Sequence, residues 1–290
     1  MCVVRTAKGG WLWVALALHI AWPGALQDAI GANPTAPAAG APLMTPHRYL
    51  RYDGINTYVE IDSSPDLSVD DTGLTVEAWM RPDALSFAHT EGSRANEQYV
   101  HWLGKGQRGE QEWSFRMYSA TTPPGPRANR ISFYVFDAEG GRGCGSYFQD
   151  PLQPKQWLHI VGVVDASAQT IAIYKNGVLR HADSFAGLVT TAAGSAPLRI
   201  GTRDFASFFR GEIGPVRVWK RALNADEVQG LFLAGTILRS DLVAEYLFKE
   251  GRGSTAADSA DSHDGSIFGA RRGSRRGPLG TATGTSGGGC

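Results

Sequence analysis

Cysteine is scarce in this sequence. The 290 residues include three cysteines, Cys2, Cys144 and Cys290. Such scattered positions exclude a disulfide-stapled scaffold and a zinc site built from cysteines. Cys144 and Cys290 could pair only if the glycine-rich end of the chain folded back, so a free or intermolecular thiol is the better interpretation.

A surplus of charge is also missing. Lysine and arginine together number 28, and so do aspartate and glutamate. Nucleic acids and anionic membranes attract proteins with an excess of positive charge, so neither is expected as the main partner. Signature motifs of several enzyme classes are absent as well: the sequence has no HExxH, no GxxxxGK[ST] and no CxxC.

Long hydrophobic runs are limited to the N terminus. Arg5 and Lys8 precede an apolar run over 11–20 that is too short to span a bilayer comfortably. The pattern predicts a secretory signal peptide over 1–25, with an uncleaved anchor as the alternative because the cleavage site is poorly marked. We therefore expect a secreted or surface-attached protein whose mature chain has no membrane span.

The composition divides the rest of the chain. Residues 26–46 are rich in Ala, Pro, Gly and Thr, which predicts a flexible spacer. Residues 270–290 are rich in Gly and Arg, which predicts a disordered tail. The folded part is expected over 47–269.

Short alternating or wholly apolar segments with turn residues between them fill the folded part, which predicts stacked antiparallel sheets. Asn176 and Gly177 lie between two such segments and predict a tight hairpin, because both turn positions need positive φ. The segment at 157–165 is apolar on both faces and predicts a central strand, whereas 112–119 alternates and predicts one wet face. One short helix is expected after Asn224, ending at Gly235.

Four segments follow one another in the folded part: LRYDGINTYVEIDSSPDL, LTVEAWMRP, QWLHIVGVVDASAQTIAIYKNGVL and PLRIGTRDFASFFRGEIGPVRVWKRALNADEVQGLF. In this order they resemble the laminin-G-like jelly-roll family of the concanavalin A-like lectin and glucanase superfamily. The last is also similar to the pentraxin branch. The resemblance implies an all-β fold, a two-sheet antiparallel β-sandwich of jelly-roll type, with ligand sites on the rims or the concave face. It places Trp79 and Trp219 in the core.

The segment that begins at Leu242 resembles the opening of such modules, although here it follows the helix. Either it starts a second module, or it closes the first sandwich. Closure is favoured because an orphan strand would leave an exposed apolar edge.

Catalysis is not expected. Some glucanases of this superfamily carry alternating carboxylates on one strand, and Glu60 and Asp62 begin such a pattern. Ser63, Ser64 and Pro65 follow, so the further carboxylate is missing. His101 and His159 lie inside apolar segments and are interpreted as core residues.

Calcium is the cofactor that the resemblance implies, because rim loops present hard oxygen ligands. The candidate ligands are Asp53, Asn56, Asp204, Asp258 and Asp261. Asp204 matches a pentraxin calcium acid, but Thr202 and Arg203 stand where further oxygen ligands would be expected. The alternative is that Asp53 and Asp258 cap turns through their own backbone.

The loop TRDFASFFRG combines aromatic rings with charged side chains, which is typical of sites that stack on sugars and bind their hydroxyls. Its candidate binding residues are Arg203, Phe205, Phe208, Phe209 and Arg210. Alternatively, these rings plug the end of the sandwich.

The sequence thus predicts a secreted, non-enzymatic binding module for an extracellular glycan or another extracellular polymer, with calcium as a candidate aid. The alternatives are an adhesive or structural protein that binds another protein, and a divergent glycoside hydrolase.

Overall fold

Two antiparallel sheets pack face to face in the computed structural model of the chain. The structure describes residues 45–92, 97–120, 125–137, 142–235 and 237–275. The predicted signal peptide and most of the predicted spacer and tail lie outside these residues. Among the described residues, no helix has the length and apolar character needed to cross a bilayer.

The first sheet has eight strands within the described residues, numbered here in chain order through the whole fold. They are β1 (Arg48–Asp53), β3 (Leu74–Pro82), β8 (Leu158–Asp165), β9 (Thr170–Lys175), β10 (Val178–Ser184), β12 (Arg210–Trp219), β13 (Leu242–Tyr246) and β16 (Arg271–Ser274). Their order is β10-β9-β8-β3-β12-β1-β16, and β13 pairs with the second half of β12. The predicted central strand is β8, which lies between β3 and β9.

The second sheet also has eight strands in the described part of the chain. They are β2 (Tyr58–Ile61), β4 (Tyr99–Gln107), β5 (Glu110–Tyr118), β6 (Ile131–Phe136), β7 (Gly143–Phe148), β11 (Leu198–Ile200), β14 (Thr255–Ala256) and β15 (Gly265–Phe268). Their order is β14-β15-β2-β11-β4-β5-β6-β7. The two sheets confirm the predicted antiparallel β-sandwich.

Apolar side chains at alternate positions of the strands point inward and fill the space between the sheets. Leu50 and Tyr52 of β1 and Trp113 and Phe115 of β5 are fully or almost fully buried in one cluster. Burying a large apolar side chain stabilises a fold by roughly 1.5–3 kcal/mol, so this layer dominates the folding free energy. Trp79 and Trp219 are buried packing residues, as predicted.

The local turn and helix signals are confirmed. Asn176 and Gly177 have φ values of 53° and 77° in the hairpin between β9 and β10. The helix α1 spans Ala225–Ala234. At its start, the Asn224 side chain accepts from the Glu227 N–H, and the Glu227 carboxylate accepts from the Asn224 N–H. Gly235 ends the helix with a φ of 58°. The helix packs on the outer face of the first sheet.

The C-terminal segment closes the sandwich, which confirms the favoured interpretation. Strand β13 pairs with β12 in the first sheet, while β15 pairs with β2 in the second. Tyr246 is fully buried in the core, and its hydroxyl donates to the backbone carbonyl of His263 at 2.7 Å.

The sandwich extends beyond both ends of the predicted range. Pro46 is buried against Gly214, although the spacer was expected to include it. At the other end, β16 pairs with β1, so the ordered fold continues past residue 269 into the predicted tail. The arginine-rich composition hid this strand because an edge strand can be polar on both faces.

Candidate functional site

The outer face of the second sheet carries an unusual set of polar and aromatic side chains. Trp113, Phe115 and Met117 of β5 point into the core, so Ser114 and Arg116 point outward. The wet face predicted for this strand is largely wrong: Ser114 and Tyr118 are buried, and only Arg116 stays partly exposed. The segment between β11 and β12 crosses part of this face, where the Ser207 hydroxyl accepts from the His101 backbone N–H.

Arg116 is the centre of this face. Its guanidinium carbon lies 4.5 Å from the ring centroid of Tyr99, 4.3 Å from that of Tyr134 and 5.2 Å from that of Phe136. Such cation–π contacts hold a planar guanidinium in one orientation.

Two glycines of β7 make room for the rings around Arg116. A Cβ at Gly145 would lie 2.6 Å from the Tyr134 ring, and a Cβ at Gly143 would lie 2.6 Å from the Phe136 ring. The rings of Tyr134 and Phe136 therefore lie flat over the edge strand, stacked with centroids 5.8 Å apart. Together with Arg116 they form a flat aromatic platform.

His101 and Glu91 form the buried end of the site. The Arg116 Nε–H donates to His101 Nε2 at 3.0 Å, so Nε2 is the acceptor and the proton of the neutral ring is on Nδ1. Nδ1 donates in turn to Glu91 Oε1 at 2.6 Å, and the Ser207 hydroxyl donates to the same oxygen at 2.6 Å. Every polar atom of the imidazole is occupied.

The charges of this pair follow from its surroundings. Burial lowers the pKa of His101 to about 4, and the charges of Arg203 and Arg116 act in the same direction. Burial alone would raise the pKa of Glu91, but the hydrogen bonds from His101 and Ser207 and the charge of Arg203 outweigh it and hold the pKa at about 2. At neutral pH the histidine is neutral and the glutamate is ionised.

Arg203 lies beside this pair. Its Nη2 donates to Asp204 Oδ2 at 2.6 Å and lies 3.8 Å from Glu91 Oε2. The side chain is only 4% exposed, yet its Nε and Nη1 have no hydrogen-bond partner among the described residues. A buried donor without a partner is costly, so this guanidinium retains unused binding capacity.

These groups line a pocket of about 500 Å³. Its lining consists of three arginines, two carboxylates, two aromatic rings and two further residues: Arg108, Arg116, Arg203, Glu91, Asp204, Tyr99, Phe205, Gln111 and Ala206. The pocket therefore combines flat apolar surface with charged donors.

Phe205 forms one wall of the pocket and continues into an aromatic ridge. The ring is 45% exposed and makes an edge contact with Tyr58 at 5.0 Å. Tyr58 stacks on Phe268, which is 43% exposed, at 4.6 Å. Phe205 has a φ of 65°, a strained conformation for a bulky residue that is more common at functional sites.

Arg199 supports this ridge from below. Its guanidinium carbon lies 4.3 Å from the Phe205 ring centroid, and its Nε donates to Glu60 Oε2 at 2.7 Å. The Glu60 carboxylate is therefore held in an ion pair on the outer face.

A laminin-G-like family model, described as Concanavalin A-like lectin/glucanases superfamily, matches residues 53–229, which is more than half of the chain. The chain belongs to this superfamily. The matched range contains β2–β12, only the last residue of β1, and all residues of the pocket. A search of curated protein sequences finds no match.

Solved structures show a similar fold. A candidate carbohydrate-binding protein from Bacteroides ovatus is similar with a TM-score of 0.53 and 15% identity; 80% of this chain is covered, and the chain spans 60% of that protein's length. A heptameric SAP-like pentraxin from Limulus polyphemus is similar with a TM-score of 0.53 and 14% identity, covering 76% of this chain and 95% of the pentraxin.

The predicted binding loop divides into four environments. Arg203 and Phe205 line the pocket, Phe208 is half-buried beside Phe205 at 6.4 Å, and Phe209 is fully buried in the core. Arg210 is exposed at the start of β12 and does not line the pocket. The alternative interpretation of the rings as a plug therefore holds for Phe209.

The predicted calcium ligands are not brought together. Asp53 Oδ1 accepts from the N–H groups of Ile55 and Asn56 and from the Thr57 hydroxyl, so it caps its own turn. Asn56 is exposed in that turn. Asp258 accepts three backbone N–H bonds, and its side chain is fully buried.

The other two candidates lie in separate clusters. Asp204 is grouped with Glu91 and His101, and Asp261 is grouped with Asp66 and His263. The first cluster faces Arg203 and Arg116, which oppose a cation. The second offers an imidazole and two exposed carboxylates, whereas calcium prefers six or more oxygen ligands. Neither set fits calcium well.

Sequence reasoning missed the groups that centre the site. Tyr99, Arg116 and Tyr134 were not singled out, and His101 was interpreted only as a core residue. The available signal was the outward position of Arg116 between two apolar residues of an alternating strand.

Proposed function

We propose that the chain is a non-enzymatic glycan-binding module that uses the outer face of its second sheet. One observation carries the proposal. The exposed ring of Phe205, whose backbone φ is strained, borders a pocket in which Arg116 is fixed between aromatic rings. Aromatic faces stack on the apolar faces of sugar rings, and fixed charged donors bind the hydroxyl groups. Membership of a superfamily that includes lectins supports the same conclusion.

The bonding around Ser207 supports binding over catalysis. A serine nucleophile is activated when its hydroxyl donates a hydrogen bond to a general base, typically the imidazole of a histidine. Here the Ser207 hydroxyl donates to Glu91, and the acceptor nitrogen of His101 is occupied by Arg116. Glu60, whose strand resembles the catalytic strand of some glucanases, is paired with Arg199. We also propose that the protein is exported, because its N-terminal residues have the pattern of a signal peptide. We propose no role for calcium in binding, because the candidate calcium ligands do not converge.

Replacing Phe205 tests the proposed function. Binding to immobilised neutral and acidic glycans would be measured for the wild-type chain, and the best ligand would be titrated calorimetrically. Phe205→Ala is expected to lower the affinity for that ligand by roughly tenfold or more, because a buried aromatic contact contributes about 1.5–3 kcal/mol.

The matched control is Leu188→Ala, which removes an apolar side chain that is 55% exposed and outside the pocket. It should leave the affinity unchanged. If no glycan binds, or if Phe205→Ala binds as tightly as the control, the proposed function is wrong and binding to a protein partner becomes the leading alternative.

A further inference from the structure

The pocket holds more positive than negative charge, although the whole chain is neutral. Arg108, Arg116 and Arg203 face two carboxylates, those of Glu91 and Asp204. His101 adds no charge at neutral pH because its pKa is about 4. A formal excess of one positive charge therefore remains in a partly desolvated space, where electrostatic interactions are stronger than in water.

Both carboxylates are already committed to partners inside the protein. Glu91 Oε1 accepts from His101 and Ser207. Asp204 Oδ2 accepts from Arg203, and its Oδ1 accepts from the Ala206 N–H at 3.3 Å. These bonds engage three of the four carboxylate oxygens, so most of the recognition chemistry of the pocket comes from its donors.

Arg203 supplies the donors that lack a partner. Its side chain is nine-tenths or more buried, and Nε and Nη1 remain unpaired while Nη2 is bonded. On a guanidinium, adjacent N–H groups on one edge, Nε with Nη2 or Nη1 with Nη2, match the two oxygens of a carboxylate or of a sulfate, and Nη2 carries a second N–H besides the one bonded to Asp204. An anionic group that enters the pocket would satisfy this arginine with charge-assisted hydrogen bonds, which are roughly twice as strong as those to a neutral hydroxyl.

The segment between β11 and β12, residues 201–209, is here called the covering segment and is suited to admit such a group. Ala206 and Phe205 are exposed and line the pocket together with Arg203, and Phe205 is in a strained conformation. Its backbone N–H donates only to Thr202 Oγ1 at 3.2 Å. The pocket that these residues line with Arg203 is therefore the route by which such a group would reach the guanidinium.

We infer that the pocket recognises the anionic group of an acidic glycan, with the carboxylate or sulfate on Arg203 and the sugar ring against Phe205 and Tyr99. This inference rests on the proposed function and names its ligand class. Carboxylated and sulfated sugars share the required pair of anionic oxygens, so the experiment separates the two sources.

The test uses the full chain on an array that carries neutral, uronic-acid-containing and sulfated glycans. Binding is expected to concentrate on the acidic members and to weaken as salt is raised. Glucuronate should compete with the bound glycan, and glucose at the same concentration should not. Competition by glucose sulfate but not by glucuronate would assign the sulfate as the source.

Three variants locate the effect. Arg203→Lys keeps the charge but removes the fork of donors, and we expect about a tenfold loss of affinity for the acidic ligand. Arg108→Gln, at an exposed hairpin position, should cost about threefold, as expected of an exposed charge. Arg252→Gln makes the same charge change at an exposed position outside the pocket and should cost nothing.

The outcomes are distinguishable. Preferred binding to neutral glycans, lost in Phe205→Ala but unaffected by salt and by Arg108→Gln, overturns the anionic ligand and leaves the proposed function standing. Absence of any glycan binding overturns both. Because Arg203→Lys alters a buried residue, its thermal melt is compared with wild type, and Arg108→Gln decides the matter if Arg203→Lys does not fold.

Discussion

His101 illustrates how a single residue can be predicted correctly as buried and still be misjudged in function. It is fully buried in an apolar strand, as its sequence neighbours indicate. Its two ring nitrogens nevertheless join Glu91 to Arg116, and thereby connect the covering segment to the aromatic platform. Burial and neutrality let it act as a relay of hydrogen bonds without adding charge to the pocket.

This residue makes stability depend on pH. The folded pKa of His101 is about 4 and the ordinary value is 6.5, so the unfolded chain gains a proton first and stability falls as the pH drops from 6.5 to 4. Glu91 acts in the same direction at lower pH: its folded pKa is about 2 and its ordinary value 4.5, so its contribution is lost as the pH falls from 4.5 to 2.

We expect the wild-type free energy of unfolding to fall by roughly 2–3 kcal/mol between pH 6.5 and 4 through His101 alone. His101→Gln should remove most of this fall, and His47→Gln, at an exposed histidine, should not. Urea denaturation at pH 7, 5.5 and 4.5 measures the difference. Equal pH slopes in wild type and His101→Gln would contradict the assignment.

Asp53 allows a sharp distinction between a turn cap and a metal ligand. Hydrogen bonds from Ile55, Asn56 and Thr57 lower its pKa against the opposing effect of burial. Asp53→Ala is expected to destabilise the fold by about 1 kcal/mol, equally with calcium and with chelator. Chemical denaturation measures both conditions. A calcium-dependent midpoint in wild type that disappears in Asp53→Ala would show that the carboxylate is a ligand after all.

At the scale of elements, the sandwich depends on its C-terminal strands in both sheets. Strand β13 joins β12, and β14 and β15 extend the second sheet from β2, so one short segment completes both layers. Ala244, Tyr246 and Phe248 bring buried side chains into the core. This is why the segment cannot belong to an independent module.

A chain that ends at residue 241 is therefore expected to lose its cooperative thermal transition or to aggregate, since core positions and an edge of each sheet become exposed. A chain that ends at residue 275 keeps every described strand and is the control. Both would be followed by circular dichroism during heating. If the shorter chain melted within about 2 °C of the control, β13–β15 would not be needed for closure.

Elements with local signals were predictable, and those assembled from distant segments were not. The Asn176-Gly177 hairpin and the capping box at Asn224 depend on a few adjacent residues, so both motifs can be recognised from the sequence. The pocket requires Glu91, Arg116 and Arg203, which lie on separate segments and meet only because β11, β4 and β5 are neighbours in the sheet. Strand β16 was not predicted because it has no apolar face, and therefore lacks the hydrophobic alternation that indicates a strand.

At the scale of the whole molecule, neutrality conceals an uneven distribution of charge. The chain has equal numbers of basic and acidic residues, which argued against an anionic partner as large as a nucleic acid. The same totals allow a confined pocket in which arginines outnumber carboxylates. Composition therefore bounds the long-range field of a protein, and it leaves the chemistry of a single pocket open.

The paired glycines of β7 have a consequence for how this surface can vary. Gly143 and Gly145 are the spaces in which the Phe136 and Tyr134 rings lie, so a side chain at either glycine displaces a ring on the neighbouring strand. Positions 134 and 145 can therefore change only together, as can 136 and 143. A library that aims to redesign ligand preference on this face must randomise these positions as pairs, because single substitutions at the glycines would remove the platform before they could reshape it.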